Sequence, residues 1–312
     1  MDRFLKKTAL LFLFLVLIMT IIVVGWVALN YQTIEMPAPN LSNSYSFNEK
    51  MLFLKSKKKA EVIAIGSSIS LNNVHSGRIA GFFHTDNYLN TASWGINMYE
   101  NLQLLHMLYQ KYEPSTVILV CDMFDFNKSE KTIRFKLVNR YINSSEISIP
   151  LIYLKTFRTN YYLENAAYAR KVRNATTEYD YLGYDQFGGV NLKAEGFNID
   201  SLRWNGKSLK FHNPDEEQYH YFDKIAEFCK SGNIRFLVFQ NIYRKEYLDK
   251  LNDNQQNSFE KHANRIEDIL EKYDFKLIRT DKNEWPDSLF VDSNHLNEIG
   301  AREFTGFCLS SL

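Results

Sequence analysis

The segment EVIAIGSSIS, residues 61–70, decides the fold of this chain. It begins with a short apolar run that ends at Gly66, a pattern that predicts a buried strand. Ser67 and Ser68 follow directly. In a parallel sheet the carboxyl ends of the strands line the ligand crevice. We therefore expect these serines to begin a helix at the functional edge of a sheet.

Similar strands recur along the chain, separated by amphipathic stretches. The predicted strands cover 61–66, 87–90, 115–121, 233–240 and 275–280, and the predicted helices cover 98–111, 216–230, 256–272 and 298–311. Apolar strands that alternate with amphipathic helices indicate a parallel sheet covered on both faces. The sequence therefore predicts an α/β domain over 47–312, with strands 61–66, 117–121 and 235–240 near the middle of its sheet.

Residues 128–213 interrupt this alternation and predict an insertion or cap on the sheet. They contain a Tyr-rich, helix-like stretch at 146–172 and then the segment YDYLGYDQFGGVNLKAEGF at 179–197. The tyrosines of this region either pack the insertion onto the sheet or stack on sugar rings, since an aromatic face suits both.

The first thirty residues differ sharply from the rest. Thr8 to Leu29 carry no charge over 22 residues. At ~1.5 Å rise per residue this segment spans ~33 Å, enough to cross a hydrocarbon layer of ~30 Å. A buried globular helix and a cleaved signal peptide are the alternatives, but the apolar region of a signal peptide is shorter and ends at small residues. The sequence predicts a transmembrane helix over 8–29 after a tail of residues 1–7.

The charges on either side of this segment predict its orientation. Arg3, Lys6 and Lys7 precede it, whereas residues 30–49 contain no Lys or Arg. The positive-inside rule then places the N-terminus in the cytoplasm and the C-terminal domain in the periplasm or outside the cell.

A short spacer is predicted between helix and domain. Residues 30–46 contain Pro37, Pro39 and many small polar residues, a composition typical of a tether. Trp26 and Tyr31 are expected near the outer membrane interface, where amphipathic rings are favoured.

Composition excludes several classes of protein. The 312 residues are 45% hydrophobic and 23% charged, unlike a disordered, collagen-like or coiled-coil chain. A formal net charge of +1 provides no field to attract nucleic acid. Cys121, Cys229 and Cys308 are too few and too scattered for a disulfide framework, and the absence of C-x-x-C argues against structural zinc. We expect buried thiols and no cofactor; Asp122 and Asp125 have no visible third metal ligand.

Candidate chemistry lies at the two ends of the α/β unit. Ser68 follows the first strand, where its hydroxyl is exposed and its N–H points to where an oxyanion would form. Asp292 precedes His295 by three residues, so its carboxylate is able to bond Nδ1 and leave Nε2 as a base. A helix cap for Ser68 and a turn residue for His295 are the structural alternatives.

These motifs resemble those of the SGNH (GDSL-like) hydrolase superfamily over roughly 60–125 and 215–312. The strand and G-D-S block is similar to IAIGSSIS, which implies that Ser68 is the nucleophile and that Ser67 replaces the usual Asp. The D-x-x-H block is similar to VDSNHLNEIGAREF and implies Asp292 and His295 as its partners. The resemblance implies a three-layer sandwich with a central parallel sheet.

The oxyanion blocks agree only in part with the family. NTASWGINMYE resembles the second block and implies Gly95 as an oxyanion donor beside the N–H of Ser68. In the third block, G-x-N-D in the family, Phe124 stands where the oxyanion Asn is expected. Asn97 and Asn241 are candidate substitutes for that side chain.

Membrane-attached relatives of this style take part in bacterial envelope acylation: alginate O-acetylation, D-alanylation of teichoic acids and peptidoglycan acetylation. Many cooperate with a multi-spanning membrane acyltransferase. The resemblance implies a serine acyltransferase or esterase acting on acyl esters, O-acetyl above all, of a cell-surface polysaccharide. The alternative is a catalytically degenerate domain that binds polysaccharide or scaffolds an envelope acylation or export complex. Phe124 in place of the oxyanion Asn favours this alternative. A soluble secreted lipase is disfavoured by the uncleaved anchor. The sequence does not determine the acyl group or its acceptor, whether the enzyme transfers or hydrolyses the acyl group, or the oligomeric state.

Overall fold

The chain forms two compact units, Met1–Pro37 and Ala38–Leu312. The computed structural model describes residues 2–30, 38–128, 132–144, 149–193, 201–206, 211, 213–280 and 283–312. The first unit contains one long helix, and the second contains the sheet and the helices that cover it.

Helix α1 spans Asp2–Asn30, and its segment Arg3–Ile22 has a mean hydropathy of 2.3 with none of the segment buried. By length and composition α1 is able to cross a membrane, as predicted for 8–29, although a signal sequence would meet the same criteria. The interfacial positions predicted for the Trp26 side chain and for Tyr31 lie outside the described part of the chain.

Five parallel strands form the sheet, in the order β2-β1-β3-β4-β5. Their bounds are Val62–Ile65 (β1), Tyr88–Asn90 (β2), Thr116–Cys121 (β3), Arg235–Gln240 (β4) and Leu277–Ile278 (β5). Each strand lies within a range predicted from its apolar run. Val117 of β3 pairs with Ile63 on one side and with Phe236 on the other, so the strands expected near the middle do lie there.

Helices cover both faces of this sheet. Their bounds are Tyr45–Ser56 (α2), Ser68–Asn73 (α3), Ser76–Phe83 (α4), Met98–Tyr112 (α5), Phe135–Asn143 (α6), Ile149–Thr156 (α7), Thr159–Asn174 (α8), Ser201–Trp204 (α9), Glu216–Ser231 (α10), Lys245–Leu248 (α11), Asp253–Glu271 (α12) and Glu298–Ser310 (α13). Val117 and Leu119 share a core cluster with α5, α10 and α12. Ile118 and Val120, which point to the opposite face, share one with α3, α4 and α13. The predicted three-layer α/β sandwich is confirmed.

The domain begins earlier than predicted. Ala38 and Leu41 are buried, and the hydroxyl of Tyr161 on α8 donates to the carbonyl oxygen of Ala38 at 3.3 Å. The tether predicted over 30–46 is therefore wrong from Ala38 onward, because apolar side chains within it pack into the domain. Its part at 31–37 lies outside the described residues.

The described residues of 128–213 form helices α6–α9 and contribute no strand to the sheet. The Tyr-rich stretch 146–172 contains α7 and most of α8 as two separate helices. Lys50 fastens this region to the sheet edge, since its Nζ donates to the carbonyl oxygens of Asn90 in β2 at 3.0 Å and of Gly188 at 2.5 Å. Burial lowers the pKa of Lys50 to about 7.

Candidate active site

A tight turn after β1 places Ser68 at the carboxyl edge of the sheet. Gly66 has φ +130°, and a Cβ there would lie 2.2 Å from Ser70 Oγ, so this turn requires glycine. Ser67 Oγ caps α3 by accepting from the N–H of Ile69 at 3.2 Å, and Ser70 Oγ accepts from the N–H of Val120 at 3.0 Å. Ser68, the first residue of α3, is thus the serine whose hydroxyl is not used to build the turn.

The loop before α13 brings His295 to Ser68. The Nε2 atom of His295 lies 2.9 Å from Ser68 Oγ, although 227 positions separate the two residues. Nδ1 of the same ring lies 3.0 and 3.1 Å from the two carboxylate oxygens of Asp292. Since Nδ1 donates to the carboxylate, Nε2 is the acceptor for the serine proton. The structure brings together all three side chains that the sequence singled out, in the order that acyl transfer needs.

Local hydrogen bonds hold Asp292 in its ionised form. Its Oδ1 atom accepts from the backbone N–H groups of Asn294 at 2.9 Å and His295 at 2.7 Å, which also closes the turn. Burial acts to raise the pKa of Asp292. The charge of His295, its hydrogen bond and the two backbone N–H groups act in the opposite direction, and the pKa of Asp292 lies below its usual value.

A buried polar network supports the loop from below. The Oδ2 atom of Asp122, just after β3, accepts from Nδ2 of Asn241 at 2.5 Å and of Asn294 at 3.2 Å. Asn73 at the end of α3 donates to Asn241 Oδ1 and to the carbonyl oxygen of Asn294, both at 3.0 Å. Burial raises the pKa of Asp122 more than these hydrogen bonds lower it. The network fixes the loop of residues 292–295 against the end of the sheet.

Asn97 and Asn241, the two candidate substitutes for the oxyanion Asn, form their side-chain hydrogen bonds with groups other than Ser68. Asn97 caps α5 in a reciprocal pair with Glu100, and its Nδ2 donates to the carbonyl oxygen of Asn127 at 3.1 Å. Both amide atoms of Asn241 belong to the network around Asp122.

Phe124, at the position of the family's oxyanion Asn, carries no polar side-chain group. Its ring packs at 6.2 Å from Tyr243 and 6.1 Å from Phe259.

The backbone N–H groups of Ser68 and Gly95 are the remaining candidates for oxyanion donors. Within the described residues, the N–H groups of Ser68 and Gly95 make no hydrogen bond. Ser93 N–H donates to the Gly66 carbonyl oxygen at 3.1 Å, which ties the segment carrying Gly95 to the turn before Ser68. Gly95 has φ +57°, a left-handed conformation that glycine adopts without strain.

Tyr179, from the insertion, is a site residue that the sequence reasoning missed. Its Oη atom lies 3.2 Å from His295 Nδ1, its ring stands edge-on to the imidazole, and its hydroxyl donates to Asp292. Burial, and then the Asp292 charge, raise the pKa of Tyr179 far above its usual value. The Arg203 guanidinium stacks 3.9 Å from the centre of the same ring. The only sequence signal was the tyrosine-rich composition, which does not say which tyrosine reaches the site.

The cysteines and the acidic side chains considered as metal ligands do not form a further site among the described residues. Cys121, Cys229 and Cys308 are buried free thiols, and burial raises the pKa of each. Among the described residues, no group of three or more His, Cys, Asp or Glu side chains is arranged to hold a metal ion.

A cavity of about 750 Å³ opens at the carboxyl ends of β4 and β5. Aromatic side chains and polar groups line it together, among them Gln240, Tyr243, Phe259, Trp285 and Asp287. Asn241, which bonds Asp122 of the supporting network, also lines it, whereas Ser68, Asp292 and His295 are not among its lining residues.

Comparisons with known proteins give structural likenesses only. No family model and no curated protein sequence matches this chain. A psychrotrophic esterase from Pseudoalteromonas sp. is similar over 82% of this chain and 96% of its own, with 10% identity and a TM-score of 0.38. An acetyl xylan esterase is similar over 81% and 99%, with 16% identity and a TM-score of 0.41. A GDSL-like lipase from Bacteroides thetaiotaomicron is similar over 92% and 95%, with 10% identity and a TM-score of 0.37. The chemistry proposed below rests on this chain's own residues.

Proposed function

We propose that this protein is a membrane-anchored, extracytoplasmic serine esterase or acyltransferase that acts on acyl esters, above all O-acetyl esters, of a cell-surface polysaccharide. The observation that carries the proposal is the relay from Ser68 Oγ through His295 to Asp292, with distances of 2.9 and 3.0 Å. Such a relay activates a hydroxyl that is otherwise a weak nucleophile.

The reaction begins when Ser68 Oγ attacks the ester carbonyl carbon while His295 Nε2 takes its proton. The carbonyl electrons move to oxygen, and the N–H groups of Ser68 and Gly95 stabilise that oxyanion. Asp292 stabilises the imidazolium but does not take its proton. Collapse of the intermediate breaks the bond to the leaving alkoxide, which receives the proton from Nε2, and an acyl-serine remains.

The second half of the reaction repeats these steps with an acceptor. Water or a sugar hydroxyl gives its proton to Nε2 and attacks the acyl-serine, so hydrolysis and transfer differ only in the acceptor. The cavity at the ends of β4 and β5 supports the proposal of a sugar ligand, because aromatic side chains line it beside amide and carboxylate groups. A multi-spanning membrane acyltransferase is the proposed source of acyl groups.

The anchor completes the proposal. Helix α1 is uncharged from Thr8 to Leu29 and is preceded by basic residues, a pattern that favours a cytoplasmic N-terminus and a periplasmic or extracellular domain.

A second candidate function is non-enzymatic. Phe124 in place of an oxyanion Asn, with Asn97 and Asn241 hydrogen-bonded elsewhere, favours a degenerate domain that binds polysaccharide or scaffolds an envelope complex.

Labelling with a fluorophosphonate probe distinguishes the two. An active serine relay attacks the phosphorus, displaces fluoride and keeps a covalent adduct that peptide mass spectrometry locates. We expect the adduct on Ser68, its loss after heat denaturation, and strongly reduced labelling in His295→Ala. No adduct on the folded protein would support the non-enzymatic function.

A further inference from the structure

Helices α7 and α8 expose an unusual amount of apolar surface. Leu151, Leu154, Phe157 and Leu163 have exposed fractions of 52, 74, 62 and 69%, whereas Ile152 on the inner side of α7 is buried. Single exposed apolar residues are ordinary, but four large ones within residues 151–163, two on α7, one in the turn after it and one on α8, indicate an interaction surface. These four residues are called the α7–α8 surface.

Basic residues flank these apolar side chains. Lys155 and Arg158 are exposed directly beside Leu154 and Phe157 in the sequence. Over residues 149–174 the chain carries five basic residues and a single acidic one. A surface with large apolar side chains and lysine or arginine at its edge fits the boundary between headgroups and acyl chains of an anionic bilayer.

The chain also enters the domain beside α8. The hydroxyl of Tyr161, on α8, bonds the carbonyl oxygen of Ala38, where the described domain begins. Only residues 31–37 separate Ala38 from Asn30, the last residue of α1. At most ~3.6 Å per residue, this link spans no more than ~29 Å. A membrane that holds α1 is therefore within reach of α8.

We propose that the α7–α8 surface docks on the lipid bilayer in which α1 is anchored, with its apolar side chains at the acyl boundary and Lys155 and Arg158 at anionic headgroups. The proposal rests on the membrane anchoring proposed above.

Lipid-borne quenching in the full-length chain tests the docking. The protein is reconstituted in vesicles of phosphatidylethanolamine and phosphatidylglycerol, with an NBD fluorophore on one introduced cysteine, since the three native thiols are buried. The test site is Leu154→Cys, the control is Lys261→Cys on the exposed side of α12, and Leu13→Cys marks the anchor. Doxyl lipids should quench the fluorophore at position 154 several-fold more than at 261.

The outcomes separate the two proposals. Quenching at position 13, with position 154 no more quenched than 261, overturns the docking and leaves the anchor standing. Failure to quench at position 13 overturns the anchor, and the docking with it.

A second measurement uses Ala38–Leu312, which has its own sheet and core. It should sediment with phosphatidylglycerol vesicles, and Leu154→Ser with Leu163→Ser should reduce the bound fraction several-fold while circular dichroism stays unchanged. If instead the domain dimerises without vesicles and these substitutions abolish the dimer, the surface binds a second copy and the lipid proposal is wrong.

Discussion

Two adjacent serines provide the sharpest test of the candidate site. Ser67 and Ser68 have the same side chain, but their hydroxyls have different partners. Ser68 Oγ lies 2.9 Å from His295 Nε2, whereas Ser67 Oγ is buried and accepts from the N–H of Ile69. Replacing Ser68 by alanine should therefore affect activity, whereas replacing Ser67 by alanine should affect stability.

The expected magnitudes follow from these contacts. Ser68→Ala removes the proposed nucleophile and should lower kcat by on the order of 10⁴-fold or more. Combining it with His295→Ala should cost little more, because the two groups act as a unit. Ser67→Ala removes a helix cap that contributes ~1 kcal/mol, which corresponds to a fall of about 2–4 °C in Tm for a domain of this size class.

The assay compares kcat/KM for p-nitrophenyl acetate hydrolysis with Tm from thermal denaturation for each variant. We expect Ser68→Ala to lose activity and keep its Tm, and Ser67→Ala to keep activity within a few-fold and lose stability. Full activity in Ser68→Ala together with inactivity in Ser67→Ala would show that the wrong serine has been assigned. Unchanged activity in both would favour the binding or scaffold function.

Two further predictions concern titrating groups. Tyr179→Phe removes the hydroxyl that donates to Asp292 and lies 3.2 Å from His295 Nδ1, so kcat should fall by about tenfold, the change that ~1.4 kcal/mol produces, while Tm stays nearly the same. An unchanged kcat would show that Tyr179 does not support the Asp292–His295 pair. Burial lowers the pKa of His262 to about 3, so below pH ~6.5 the unfolded chain binds a proton that the folded protein does not. The free energy of unfolding should then fall by about 1.4 kcal/mol per pH unit from this group as pH drops toward 3. Urea unfolding at pH 7, 6 and 5 should show that His262→Gln loses this slope and that the exposed-site control His220→Gln retains it; equal slopes in all three proteins would refute the assignment.

The sequence alone determined the fold to a large extent. Buried parallel strands are continuous apolar runs, and their ends are marked locally, as Gly66 and Pro114 mark β1 and β3. For that reason all five strands lie within their predicted ranges. Ser68, Asp292 and His295 could also be singled out, because the spacing of D-x-x-H and a serine after a strand are local patterns.

Only the tertiary structure decided which polar atoms meet. Asn97 and Asn241 carry amides suited to an oxyanion, but helix capping and the Asp122 network engage them. Tyr179 reaches His295 from an insertion 116 positions away in the sequence.

Residues 38–46 have the composition of a spacer, yet Ala38 and Leu41 are buried and Leu41 packs into the hydrophobic core. Composition indicates whether a segment tends to be buried, and the spacing of its apolar residues indicates whether it forms a helix or a strand. The partner of a particular hydroxyl or amide depends instead on how elements distant in sequence pack, to within an ångström, and no local pattern carries that information.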